Sequence, residues 1–493
     1  MSGPGRTSAR ERVDPRVWKI SSIVLLGPLM TSLDSTVVNV SLSTLGDELH
    51  VGLATLQWVI TGYLLALALM LPLSGWLVDR VGAKRVYLVC FTLFTLASLL
   101  CGMSTSAGAL IGARVLQGMS GGLLAPMAQM MVAREAPRHI ARVMGIMVVP
   151  VLLGPICGPS LAGLILQHAS WHWIFFINLP IGVIAIISAA WGLPRDSASE
   201  RRRGFDLVGF ALISPGLVLG LYSLESLSTK AAGGSLHLIE LAMSLCLLTA
   251  FAVHAVKRGS TALIDVGLFR DSSFSAAACT QFLANAVSFG GQMLLPLYLL
   301  SILHLSPEKT GMLLAPTGLG MLCSYPSMGA LTDRFGSRRV SAGGALIALA
   351  GTLPFALLPF TALSTWAICA ALFVRGVGMG SISIPSIAAA YSSIAKEAIP
   401  VATTAINIVQ RLGGPAATTA LAIFLHARTS PTSHTFAPVS AHESAPAFTA
   451  TLWLLCAFHG AAIFSALRLP LRAQPRNRIG DLQPDDPVEA FAE

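Results

Sequence analysis

Apolar residues in this chain fall in long unbroken runs, not in the short alternating or three-to-four spacing of soluble elements. Fourteen runs lie near 17–41, 53–76, 87–104, 108–132, 142–166, 173–193, 206–226, 236–256, 273–303, 310–331, 340–360, 365–391, 401–427 and 447–467, separated by short segments rich in Arg, Asp, Gly and Pro. About twenty residues at 1.5 Å each cross roughly 30 Å of hydrocarbon as a helix, which satisfies its own backbone there. The expectation is an all-α polytopic membrane protein.

Composition strengthens this reading. Hydrophobic residues are 54% and charged residues 11%, with mean hydropathy +0.72, whereas an ordinary soluble chain carries about 25% charged residues. A soluble enzyme with one anchor, a disordered chain and a secreted disulfide scaffold are excluded. The net charge of +9 raises nucleic acid as a partner, and the placement of the basic residues answers it. Of 32 Lys and Arg, 26 fall in alternate loops and the two tails, Lys230, Lys309 and Arg428 fall on the other side, and Arg114, Arg375 and Arg411 remain inside runs. The positive-inside rule then predicts an even number of spans with both termini cytoplasmic, and the expected location is a bacterial inner membrane. Membrane lipids are expected partners and nucleic acid is not. Cys90, Cys101, Cys157, Cys246, Cys279, Cys323, Cys369 and Cys456 lie in or at the ends of runs with no CxxC pair, as packing residues. The first run, despite its basic flank, lacks a small-residue cleavage site and reads as an uncleaved helix.

At an offset of 254 residues the chain repeats itself: Gly75-Trp-Leu-Val-Asp-Arg-Val-Gly-Ala-Lys-Arg-Val86 aligns with Gly329-Ala-Leu-Thr-Asp-Arg-Phe-Gly-Ser-Arg-Arg-Val340, and seven of twelve positions are identical. A weaker echo sets Arg114 near Arg375, each followed by glycines and by Pro126 or Pro385. Two six-helix bundles therefore flank an extra pair of helices. The expected units are a tail at 1–16, a first bundle at 17–203, two linker helices at 204–258, a second bundle at 259–467 and a tail at 468–493. Parallel repeats around a midplane site are a transporter plan.

The repeated loop resembles the signature of the major facilitator superfamily, and four further motifs narrow the resemblance to its fourteen-helix drug:proton antiporters. Leu33-Asp-Ser-Thr-Val-Val-Asn39 is similar to their first-helix motif, and Arg114-Val-Leu-Gln-Gly118 with Gly121 and Gly122 to their fourth-helix motif. Gly145, Gly154, Gly158-Pro159 and Ala162-Gly163 resemble the antiporter motif of the fifth helix, and Trp171 to Gly182 the connection that follows. The resemblance covers about residues 17–467 and implies the major facilitator fold with two extra central helices. The chain departs from the pattern at Ser43, Ala162, His172 and Gln410-Arg411, which bears on local geometry and substrate preference.

Charges inside the membrane cost about 2.5–3.5 kcal/mol each on insertion scales, so they call for a reason. Asp34 and Arg114 are the candidates for proton coupling: a buried carboxyl can exchange a proton near neutral pH, while a guanidinium stays charged and tunes it. A structural reading stays open, with Asp34 as the ionised partner of Arg114, and the two readings are compatible. Gating candidates are Gly75, Asp79, Arg80, Gly82, Arg85, Asp333 and Arg334 in the repeated loops. Gly145, Gly154, Pro155, Gly158, Pro159 and Gly163 of the fifth span join them, where the resemblance implies a rocking contact with the other half. Candidates for the substrate cavity are Asn39, Trp58, Tyr63, Gln117, Phe289, Gln292 and Tyr298.

Other signals carry less. Gly376-Val-Gly-Met-Gly380 follows no strand and reads as helix packing, and His168 with His172 has no acidic or cysteine neighbour, so no metal is expected. No Walker A sequence is present, which points to an ion gradient as the energy source and to no cofactor; the resemblance implies that the ion is the proton. The expected function is proton-coupled export of small lipophilic compounds, monocationic or neutral, by a monomeric transport unit. A metabolite uniporter or importer on the same fold and, more remotely, a membrane-embedded sensor or enzyme remain as alternatives.

Overall fold

The computed structural model describes residues 13–136, 139–196, 204–229, 235–357, 364–429 and 441–471. The tails expected at 1–16 and 468–493 lie mostly outside these residues, as do Arg138, Arg201, Arg202, Arg203 and Lys230. Among the described residues every regular element is helical. The α-helices are α1 (Pro15–Val40), α2 (Leu42–Leu49), α3 (Leu53–Met70), α4 (Leu73–Val81), α5 (Ala83–Gly102), α6 (Ala107–Glu135), α7 (Ile140–His168), α8 (Trp173–Phe176) and α9 (Asn178–Gly192). After the extra pair, α10 (Leu207–Thr229) and α11 (Ser235–Arg258), come α12 (Ser272–Ser301), α13 (Pro307–Phe335), α14 (Ser337–Leu357), α15 (Thr365–Ser392), α16 (Ile399–Thr429) and α17 (Ala441–Leu467).

Eleven helical stretches are long and apolar enough to cross a membrane, and α3 with α4 makes a twelfth that bends by 55°. The bend falls at Leu71-Pro72, where proline removes a backbone donor and crowds the preceding turn. The remaining two expected runs are α6 and α13, each 29 residues long. They are more polar than their neighbours, α6 because it carries Arg114 and Gln117. Ends are set by local chemistry: Asp14 accepts from the Arg16 N–H at 2.8 Å with Pro15 at the first helical position, and Asp271 accepts from Ser273 N at 2.9 Å and Phe274 N at 3.0 Å.

The helices form two groups that follow the repeat, α1 to α9 and α12 to α17, and α10 packs against α3 of one group and α16 of the other. Ser214 Oγ donates to Leu69 O at 3.0 Å and Thr419 Oγ1 donates to Leu224 O at 2.6 Å, so α10 straddles the seam. Its start is anchored by Asp206, whose buried carboxylate accepts from Gly209 N at 3.0 Å, Leu263 N at 3.0 Å, His254 Nε2 at 2.9 Å and Arg258 NH1 at 2.7 Å. Burial opposes that charge, but the bonds from Gly209, His254 and Leu263 outweigh it and hold the carboxyl below its ordinary range.

Among the described residues the core forms one cluster at the end carrying the termini, two at the far end, and a small one inside the second group around Val287, Ala348 and Met379. Val24, Tyr87, Met127, Met144, Tyr325, Ile384 and Ile406, drawn from both groups, share a single cluster. Toward the far end Val37, Leu56, Leu110 and Phe175 form one cluster within the first group, and Leu294, Phe355, Leu421 and Leu455 form another within the second. The two groups are joined at the terminal end and separate at the other. Along α5, Val89, Leu93, Leu96 and Leu100 are exposed in an apolar stripe suited to lipid.

Candidate functional site

Between α1, α3, α5, α6 and α9 a polar cluster is sealed inside the first group. Arg114 NH1 donates to Asp34 Oδ2 at 2.6 Å, and Asp34 Oδ1 accepts from Asn178 Nδ2 at 2.8 Å and from Gln117 Nε2 at 3.0 Å. Arg114 also donates from Nε to Val59 O at 3.2 Å and from NH1 to Gln117 Oε1 at 2.7 Å. Ser98 Oγ accepts from Asn178 at 3.0 Å and from Gln117 at 3.2 Å, and donates to Phe175 O at 3.0 Å. The Tyr63 ring lies under the guanidinium, 4.1 Å from its centroid, a cation–π contact. Asp34, Arg114, Gln117 and Asn178 are each at most 2% exposed. With three donors on its two oxygens and no acceptor opposite, Asp34 is held in a cage that complements a carboxylate.

The sequence-derived pair Asp34 and Arg114 is thus brought into direct contact, with Gln117 and Tyr63 beside it. Ser98 and Asn178 were not singled out. A lone Asn inside the run 173–193 was the readable signal for Asn178; Ser98 looks like any other serine in an apolar helix. The remaining cavity candidates scatter. Trp58 stacks on Tyr222 of α10, with centroids 6.1 Å apart, and so faces the extra pair. Tyr298 is buried between Phe355 and Phe448, at 6.1 and 6.2 Å, inside the second group's core, because its ring completes an aromatic cluster there. Phe289 lies over Gly414 of α16, Gln292 is exposed and donates to Ser288 Oγ at 3.2 Å, and Asn39 is exposed near the end of α1.

The repeated loops do the same work twice. Gly82 and Gly336 have φ of +98° and +83°, a conformation that side chains rarely adopt, and each turns the chain into the next helix. Beyond the first turn, Asp196 accepts from Lys84 N at 2.9 Å and Arg85 N at 3.2 Å, capping α5, while Lys84 Nζ donates to Ala190 O at 2.7 Å and Leu193 O at 2.9 Å at the end of α9. In the second copy Arg338 Nε donates to Leu469 O at 2.6 Å beyond α17. Lys84 and Arg338 tie the third helix of each group to its last.

The first glycine of each copy marks where the groups meet. A Cβ on Gly75 would lie 3.0 Å from Thr404 Oγ1 and 3.1 Å from Pro400 O, and one on Gly329 would strike the Arg142 backbone. Asp79 sits 3.9 Å from Arg134 of its own group, whereas Asp333 feels His139 and Arg142 of the other. Arg80 and Arg334 are exposed, the latter 5.1 Å over the Phe335 ring. In the fifth span only Gly145 faces the other group, where a Cβ would meet Tyr325 O at 2.6 Å. Gly154 and Gly158 lie instead against Ser32 and Thr36 of α1, Gly163 has nothing within 4 Å, and Pro155 and Pro159 are exposed. The fifth span therefore does meet the other half, where α7 packs on α13 around Gly145, while Gly154 and Gly158, one turn apart, let α1 approach α7 closely. Among the described residues no three His, Cys, Asp or Glu side chains gather as a metal site.

Comparison with known proteins places this arrangement. The profile of the Major Facilitator Superfamily matches residues 24–418. The chain is 35% identical over 433 residues to the multidrug resistance protein B homolog of Mycobacterium tuberculosis, covering 85% of this chain and 78% of that protein. It is 33% identical over 358 residues to the putative multidrug resistance protein MdtD of Klebsiella pneumoniae, covering 72% and 75%. The crystal structure of the human organic anion transporter MFSD10 shares the fold, with TM-score 0.61 at 15% identity over 90% of this chain and all (100%) of that one. The chain belongs to the major facilitator superfamily and is an integral membrane transporter, not an enzyme.

Proposed function

We propose that this chain exports small lipophilic compounds in exchange for protons, with the terminal end cytoplasmic and the helix groups rocking between two closures. The caged Asp34 carries the proposal, and the multidrug names of its relatives support the export of drug-like compounds. The joined core at the terminal end and the separate cores at the far end correspond to one state of such a cycle, closed inside and open outside.

In this state the carboxylate is the complement of Arg114. Arriving on Asp34, a proton removes the charge that holds Arg114 NH1, and the guanidinium keeps Val59 O and Gln117 Oε1 as acceptors. The new O–H needs an acceptor, and Asn178 Oδ1, buried without a hydrogen-bond partner, supplies one when its amide turns over. Because Asp34 bonds into α6 and α9 at once, its protonation state is felt by three helices. One proton moving down about 150 mV releases about 3.5 kcal/mol, enough for a gradient of a few hundredfold.

The expectation of a monocationic substrate relied on Asp34 as a free counter-charge, and its partnership with Arg114 removes that support. Asp34→Asn should abolish accumulation of a lipophilic dye by everted vesicles while facilitated exchange persists. Accumulation by that variant at the wild-type level, collapsed by an uncoupler, would place the coupling carboxyl elsewhere.

A further inference from the structure

The extra helix pair is tied to both halves at the end carrying the termini, and one buried carboxylate makes the connection. Asp206 divides its two oxygens between two directions. Oδ1 takes Gly209 N in the first turn of α10 and, from the end of α11, His254 Nε2 and Arg258 NH1, whereas Oδ2 takes Leu263 N at 3.0 Å. The first three donors belong to the pair itself. Leu263 belongs to the segment that leads from the pair into the second group, and that segment is fixed there: Asp271 caps α12, Ser275 Oγ donates to Phe269 O, and the Phe269 and Phe274 rings lie 5.3 Å apart.

On its other side α10 is held by the first group. The Phe205 ring, just before it, lies 4.8 Å from Trp76 of α4, Ser214 Oγ donates to Leu69 O near the bend between α3 and α4, and Tyr222 stacks on Trp58. A continuous path therefore runs from the first group through α10 and the Asp206 carboxylate to Leu263 and α12. It crosses the seam that parts when the terminal end opens. Trp76 and Asp79 of α4, Val401 of α16, and Asp206 with Leu263 line one small crevice, next to the contact of Gly75 and Ser74 with Pro400 and Thr404. Ala262, Leu263 and Ile264 are buried in the core cluster that both groups share.

We propose that Asp206 is a positioning residue for the transport cycle: it clamps the extra pair across the seam between α4 and α16 and so favours the state closed at the terminal end. This rests on the rocking of the two groups proposed above. The extra pair is then a working part of the gate, not a spacer between two halves. Two substitutions isolate the clamp. Asp206→Asn keeps the shape but puts an NH2 where one oxygen stood, so either Leu263 N or the donors of the pair lose their acceptor, whichever way the amide turns. Leu263→Pro removes the backbone donor alone, and Ala262 before it already has φ −66° and ψ 157°, the extended conformation that a following proline requires.

The test uses full-length protein in everted vesicles, with the eight native cysteines replaced by alanine and Ser74→Cys as reporter, since Ser74 is buried where Thr404 of the other group covers it. A membrane-impermeant maleimide is added on the side of the termini. The reporter should label slowly when Asp206 is present and about tenfold faster with Asp206→Asn or Leu263→Pro, the scale of one hydrogen bond to a charged group. Asp206→Glu should fall between. A merely structural Asp206 would lower the unfolding midpoint of these variants while folded protein kept the original labelling rate, and that result overturns the clamp. Should Asp206→Asn not fold, Leu263→Pro decides alone: faster labelling supports the clamp and an unchanged rate overturns it. Dye accumulation by the same vesicles separates this from the export reading, because accumulation with unchanged labelling overturns the clamp and leaves export standing. If the reporter labels as fast as an exposed cysteine with Asp206 in place, the terminal end is not closed and both readings fall.

Discussion

Arg114 and Arg375 stand on α6 and α15, the matching helices of the two repeated halves, and both are buried to within 2%. Only Arg114 has an acid, and with it three amide and hydroxyl side chains in a closed network. Arg375 has the Val287 carbonyl and a bare Nε. The loops that shape the two halves, in contrast, agree closely, with matching glycine turns and matching Lys84 and Arg338 ties. Duplication has preserved the frame in both halves, while the buried acid and its amide network stand in only one.

The largest test of this difference removes each arginine. Arg114→Ala strands the Asp34 carboxylate in a dry cage and should cost about 3–5 kcal/mol, whereas Arg375→Met discards an unpaired charge and should be neutral or stabilising by about 1–4 kcal/mol. Unfolding midpoints of the two variants in detergent check it, and equal losses would dissolve the distinction. A double variant, Asp34→Asn with Arg114→Gln, should regain most of the lost stability yet give no uphill transport in vesicles. Recovery of both would mean that the pair is structural only.

Much of the frame was readable because it depends on length, charge placement and repetition. The fourteen runs and the internal repeat follow from features that a single chain displays, whereas the repeat alone did not show that Gly75 and Gly329 lie where the two groups meet. The Asp34 and Arg114 pair was readable as two costly charges, although spacing alone did not show that α1 and α6 would bring them to 2.6 Å. Sequence could not say which face of a helix looks inward, since in lipid both faces are apolar. That is why Tyr298, read as a cavity residue, sits in the second group's core, and why Gly154 and Gly158, read as facing the other half, lie against α1. Asn178 carried a signal as the lone Asn of its run, while Ser98 became visible only when the helices met.

The glycine turns sharpen the agreement between the halves. Gly82→Ala and Gly336→Ala should each cost about 1–3 kcal/mol, since both positions have a backbone nearly confined to glycine. The added methyl also meets the Asp196 carboxyl in the first half and the Leu471 carbonyl in the second. A side-chain carboxyl can shift more readily than backbone, so Gly336→Ala should be the more damaging of the two. Thermal unfolding of the pair measures this order, and the reverse order would show that the Asp196 cap is the stiffer element.

The smallest effect concerns the ties themselves. Lys84 Nζ donates to two carbonyls at the end of α9, and Arg338 Nε to one beyond α17. A hydrogen bond from a charged donor contributes about 1.5–3 kcal/mol when buried, and less here because both side chains are partly open to water. Lys84→Met should therefore cost about 1 kcal/mol and Arg338→Met about half of that, both retaining the apolar stem. Hydrogen exchange at the last turn of α9 and at the segment after α17 would locate the loss, which should stay within the half that carries the substitution. Fraying that spread to the opposite half would mean that the two third-to-last-helix ties act through the shared core at the terminal end, and that the halves are less independent than their separate far-end cores imply.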